Sequence, residues 1–269
     1  MSPEPTASRD RMPAAFLGHG SPMNALETNR YTEAWHTFGA SVREPRAILA
    51  ISAHWYIRGS AVTAMPRPRT IHDFGGFPQA LFDVEYPARG DAALAEEVAE
   101  LARPTQVVLD QTAWGLDHGT WSVLCHAFPS ANVPVVQLSI DARQSFDFHL
   151  ELGAKLSALR DRDVLIIGSG NVVHNLRAIR WDAPDAGMDW AVRFDAAASQ
   201  IMRERPSELP SLAGHSDFAL AVPTPDHFIP LLYIAGLAAA DSSAQSRTFS
   251  EGYTLGSLSM TCHAVENHA

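Results

Sequence analysis

Four short apolar runs set the strongest constraint on how this chain can fold. Residues 13–17 (PAAFL), 47–52 (AILAIS), 134–140 (PVVQLSI) and 164–168 (VLIIG) are of strand length and mostly apolar. Strands of this kind are buried on both faces, so they need cover on both. Helix-like stretches lie between and after them, at 92–102, 119–128, 144–161, 189–205 and 228–239. Pro206 stops the fourth, and the fifth is apolar enough to be a core helix. Strands separated by helices predict a largely parallel sheet in an α/β fold. A last strand is predicted at 256–263, alternating through Leu258, Met260 and Cys262. No internal repeat or low-complexity linker divides the chain, which predicts one catalytic domain at 13–269 behind a flexible tail at 1–12.

Charge and cysteine content remove several function classes. The 269 residues carry 20 Lys and Arg against 30 Asp and Glu, a formal charge of −10, with the basic residues scattered. Neither nucleic acid nor an anionic membrane is expected as a partner. Cys125 and Cys262 are too few for a disulfide framework or a zinc knuckle. The polar start lacks the apolar core of a signal peptide, and no apolar run approaches a membrane span. A cytoplasmic protein is expected. Gly-x-Ser-x-Gly, Walker and HExxH motifs are missing.

Histidines carry the chemical signal. In open α/β sheets, ligands bind beyond the carboxyl ends of the strands. Three of the four runs lead into turns bearing His19 (GHGSP), His54 (SAHW) and His174 (SGNVVHN). If the strands are parallel, these imidazoles share one edge. His118 (WGLDHGTW) and His227 (PTPDHF) lie in similarly loaded segments, where spacing alone fits a ligand or a structural role equally. Neutral imidazole binds zinc and non-haem iron. Two long stretches, 65–89 and 214–227, are rich in Pro, Gly and aromatics and are expected to be ordered pocket walls.

Longer motifs add a resemblance. GHGSPMNALE at 18–27, SAHW at 52–55, TIHDFGGFPQALF at 70–82 and WGLDHGTW at 114–121 are joined by VQLSID at 136–141. SGNVVHNLR at 169–177, PTPDHFIPLLY at 223–233 and GSLSM at 256–260 complete the set. Together they resemble the extradiol aromatic ring-opening dioxygenases of the LigB superfamily, in the branch similar to 4,5-DOPA dioxygenases. The resemblance implies a single three-layer α/β/α domain around a largely parallel, mixed central sheet. It also implies a mononuclear metal site matching His19, His54, His174 and His227. His174 would be the general base and His118 a partner of substrate and oxygen. His72, Phe74, Phe77 and Asn175 are the expected substrate contacts.

Such an enzyme implies Fe(II) for activity, with Zn2+ as a resting occupant, and a catechol and O2 as its small-molecule partners. Iron sites of this kind usually hold two histidines and a carboxylate. Here His227 stands where the carboxylate is expected, with Asp226 beside it, which leaves the third ligand and the ligand status of His174 open. A zinc hydrolase using the same histidines is the alternative. The identity of the catechol and the oligomeric state are not legible in the sequence.

Overall fold

The computed structural model describes residues 11–267. Most of the expected tail (1–10) and His268 lie outside the described residues. Arg11 and Met12, expected in the tail, belong to the folded body. Arg11 pairs with Asp161 and Asp241 at 2.6 and 2.7 Å, and buried Met12 donates its N–H to Arg160 O at 3.0 Å.

The strands are β1 (Ala14–Gly18), β2 (Ala47–Ile57), β3 (Ser60–Thr63), β4 (Val107–Asp110), β5 (Val135–Asp141), β6 (Val164–Gly170), β7 (Ala244–Ser250), β8 (Tyr253–Thr254), β9 (Leu258–Ser259) and β10 (Cys262–Asn267). The helices are α1 (Arg30–Ser41), α2 (Gln79–Phe82), α3 (Ala92–Leu101), α4 (His118–Ala127), α5 (Phe146–Leu156), α6 (Asp189–Glu204), α7 (Phe218–Ala221) and α8 (Ile229–Ala239). Eight strands form one sheet in the order β4-β3-β5-β2-β6-β1-β10-β7, and β8 pairs with β9 apart from it. The four central strands, β5, β2, β6 and β1, run parallel and are the four apolar runs of the sequence. Antiparallel pairing at β1–β10, β10–β7 and β3–β5 makes the sheet mixed.

Successive side chains of a strand point to opposite faces, and here each face has its own core. Phe16, Leu49, Val136 and Ile166 pack with residues of α3, α5, α6 and α8. Leu17, Ile48, Val135 and Leu165 pack with Trp35 and Phe38 of α1 and with Trp121 and Leu124 of α4. Three layers result. No helix among the described residues is long and apolar enough to cross a membrane.

The strand predicted at 256–263 is replaced by two. The backbone turns through positive φ at Leu255 and Gly256 (54° and 78°), and Met260 N–H bonds to Gly252 O instead of to a sheet neighbour. Only after that turn does β10 begin, and it runs on to Asn267. β2 also passes its expected end at Ser52 and reaches Ile57, with its register to β5 shifting between Ile51 and Tyr56. His54 therefore sits within an irregular strand rather than in a turn. The helix expected over 144–161 stops at Leu156 and tightens into a 3-10 segment, Ser157–Arg162.

Helices α5 and α8 cross at two glycines. A methyl group on Gly236 would collide with Leu150 O, and one on Gly153 with the Tyr233 backbone. Gly236→Val is expected to cost about 3 kcal/mol or more, since overpacking of a filled core is rarely relieved. Urea unfolding should show it; an unchanged midpoint would contradict this close crossing.

Candidate metal centre

The register of the central strands brings the histidines together. Gly18 of β1 pairs with Gly170 of β6, and Ser52 of β2 pairs with Ser169 of β6. His19 follows β1 directly, with its N–H bonded to Gly170 O at 3.0 Å. His54 projects from the far part of β2, and His118 opens α4, which Asp117 caps. His227 precedes α8, and its carbonyl accepts the Asn171 N–H at 2.9 Å. Gly170 is needed there, because a side chain would strike the His227 carbonyl.

Ring nitrogens of His19, His54 and His227 lie within 4.8 Å of one another. Each of the three rings is oriented by a partner on Nδ1. The Ser169 hydroxyl donates to Gly119 O, so its oxygen accepts from His19 Nδ1–H at 3.0 Å. His54 Nδ1 faces Asp73 Oδ2 at 3.2 Å, and His227 Nδ1 bonds to Asp226. With these N–H groups committed, the Nε2 lone pairs are the free ones, and those of His19 and His54 stand 3.3 Å apart. Partners of this kind fix tautomer and ring direction in histidine metal sites.

Burial, then the charges of neighbouring histidines, pushes His19 and His54 well below the ordinary imidazole range. Both are neutral at pH 7, the state in which imidazole binds a metal. The donor set therefore fits a single ion of the iron or zinc kind. His54, Asp73 and His118 form a second convergent set, but there Asp73 Oδ1 already accepts from the ring and the backbone N–H of His118, while Oδ2 lies 3.2 Å from His54 Nδ1. Those hydrogen bonds outweigh burial and hold the Asp73 carboxyl below the usual range. Asp73 is thus the acceptor that fixes His118, and it also faces His54.

His174 does not join the three-nitrogen set. Its ring stacks flat on His227, with centroids 3.5 Å apart and planes 3° apart. Among the described residues it is the one cavity-lining histidine whose ring makes no hydrogen bond, and burial with the nearby imidazoles lowers it to about 3.

All five rings line a cavity of about 1280 Å³. Phe74, Phe77, Leu176, Ile179, Trp181 and Leu258 make much of its wall apolar, while Glu27, Arg30 and Asp185 carry charge. The stretch 65–89 supplies both phenylalanines. His72 and Asn175 are not on the wall. His72 Nε2 bonds to Val84 O at 3.0 Å, and the ring braces Phe74 edge-on. Asn175 donates to Leu220 O and accepts from Arg177 N–H, which fixes the turn after His174. The sequence reading missed Asp73, Ser169 and Asp117 as supports. The signal for Asp73 was a carboxylate beside His72 in a segment already expected to line the pocket.

Taken together, the sheet and its buried imidazoles define an α/β protein with a histidine metal site. Residues 13–259 match the family described as "Catalytic LigB subunit of aromatic ring-opening dioxygenase". The chain is 48% identical over 257 residues to the 4,5-DOPA dioxygenase extradiol of Escherichia coli (strain K12), covering 94% of each. It is 34% identical over 240 residues to the protein of the same name from Beta vulgaris, covering 86% of this chain and 88% of that one. The crystal structure of an uncharacterized protein from Escherichia coli K12 is similar with a TM-score of 0.82 at 41% identity. That match covers 94% of this chain and 99% of the other. The chain belongs to the LigB family, and it is an extradiol ring-cleaving dioxygenase.

The depressed imidazoles tie stability to pH. His19 and His54 are joined by His149, lowered to about 4, and His263, lowered to about 3, both by burial. Unfolded imidazoles take up protons near pH 6.5, whereas these folded ones do not. Their stabilisation is therefore full above about pH 6.5 and is lost as pH falls below it. Asp117, raised to about 6 by burial and the Asp73 charge, works in the opposite sense as one group against several. Metal-free protein should lose several kcal/mol between about pH 6.5 and about pH 5 in urea titrations. Constant stability over that range would contradict neutral burial.

Proposed function

We propose that this chain opens the ring of a catechol beside its two hydroxyls, with L-DOPA cleaved at its 4,5 bond as the test case, using Fe(II) held by His19, His54 and His227. One observation carries the reading: three oriented imidazoles converge at the wall of a partly apolar cavity, beside a fourth imidazole whose ring nitrogens have no hydrogen-bond partner among the described residues. Fe(II) bound there supplies the redox chemistry between ring and oxygen, which zinc, a resting occupant in this reading, lacks.

The protein's own groups do the rest. His174 is neutral at pH 7 and takes a phenolic proton as the substrate binds, and the anion formed beside it favours the resulting imidazolium. His118 has Nδ1 committed to Asp73, so Nε2 is the nitrogen left for substrate or oxygen. Phe74 and Phe77, 5.4 Å apart and edge to face, give the ring an apolar wall and keep water from it. His72 and Asn175 act by holding Phe74 and the His174 turn. In this reading residues 13–269 form one catalytic domain, because strands from Ala14 to Asn267 share the sheet that carries the site.

Reconstitution tests the reaction. Anaerobic protein loaded with Fe(II) should consume O2 in proportion to L-DOPA or another catechol once air is admitted, and zinc-loaded protein should not. Hydrolytic activity with zinc in the absence of oxygen would support the alternative instead. His174→Ala should lower kcat by about 100-fold or more, the usual worth of a positioned base, while iron content stays near one per chain. A matching loss of iron would make His174 a ligand, and unimpaired turnover would remove it from the chemistry.

A further inference from the structure

Apart from the histidines, the charged residues of the cavity wall are Glu27, Arg30 and Asp185. Arg30 is the one cation among them, and it forms no ion pair among the described residues. Its guanidinium is held all the same. Nη2 donates to the Tyr31 hydroxyl at 2.6 Å, the group lies 4.7 Å from the centre of that ring, and the hydroxyl donates to Tyr253 O at 3.1 Å. Gly252, at φ 142°, leaves room for it, since a side chain there would strike Nη2.

A run of hydrogen bonds links the start of α1, where Arg30 sits, to the backbone of His19. His19 O accepts from Asn24 Nδ2 at 2.9 Å, and Asn24 Oδ1 accepts from Asn29 Nδ2 at 2.9 Å. Asn29 then caps α1, whose first residue is Arg30. Arg30, Tyr31 and Asp185 line the same cavity as His19, so opposite charges stand on the wall of the space that the histidines face.

We propose that this rim recognises the zwitterionic end of an α-amino-acid catechol, with the carboxylate on Arg30 and the ammonium on Asp185, while the hydroxyl edge of the ring faces the histidines. The inference rests on the catechol reading above and narrows it. A zwitterion has no net charge, so a protein of formal charge −10 does not repel it. Among the described residues only Nη2 of the Arg30 guanidinium is hydrogen-bonded, which leaves N–H groups for a carboxylate in the fork geometry that suits it.

Four ligands separate the contributions: L-DOPA, 3,4-dihydroxyphenylpropionate without the amine, dopamine without the carboxylate, and 4-methylcatechol without either. Dissociation constants are measured on Fe(II)-loaded protein without oxygen, and kcat/KM after air is admitted. Arg30→Met should reduce the preference for L-DOPA over dopamine about tenfold, the scale of a charge-assisted hydrogen bond, and Arg30→Lys should restore part of it. Asp185→Asn should reduce the preference for L-DOPA over 3,4-dihydroxyphenylpropionate in the same way. Preferences left unchanged by these variants, or wild-type protein that binds L-DOPA no more tightly than 4-methylcatechol, would overturn the proposal. Rim-dependent binding with no ring opening in air would overturn the reaction and leave the rim standing; ring opening with a flat series would do the reverse.

Discussion

Placing His19 and His54 with their Nε2 atoms 3.3 Å apart in a desolvated site is tenable only while both rings are neutral. Much of the site follows from that condition. A neutral imidazole has one N–H and one lone pair, and a buried N–H needs an acceptor. Ser169, Asp73 and Asp226 are the Nδ1 partners of the three cluster histidines. The acceptors decide which nitrogen faces inward, and the strand register decides that the inward nitrogens meet. The fold thus supplies position, and the supporting oxygens supply direction.

Beneath the histidines lies a buried polar layer. Asp117 caps α4, accepts from Gln137 and is pushed up to about 6 by burial and by Asp73. Gln137 also accepts from the Thr120 hydroxyl at 2.9 Å. Buried polar groups of this kind are costly unless satisfied, and satisfied they fix one arrangement. The layer secures the start of α4, where His118 meets Asp73, while Gly119 lets that turn approach His54 without a clash. On the other side of the cluster, the stack of His174 on His227 keeps one imidazole beside the cluster but outside it.

The sequence was most legible where burial was complete. The four apolar runs are the four central strands, because both faces of each are covered and most of their positions are therefore apolar. The edges were harder. Strand β4 has only four residues and leaves Val108 and Leu109 exposed, and β7 is half exposed and polar, so it carries no apolar signature. Helix α1 buries Tyr31, Trp35 and Phe38 in place of the usual aliphatic stripe, and it was not recognised. At the site, His19, His54 and His174 were marked by their turns, and the resemblance brought in His227 as a metal-site residue. Local pattern placed Asp73 beside His72 in an expected pocket wall but not its partners, since His54 and His118 lie 19 and 45 residues away and only the fold brings them together.

The most direct test is the structure of the protein loaded with Fe(II) without oxygen. One ion bonded to Nε2 of His19, His54 and His227 is predicted, with the Nδ1 atoms still on Ser169, Asp73 and Asp226 and with His174 unbound. An ion bonded to Asp73 with His54 and His118, or to His174, would contradict the account.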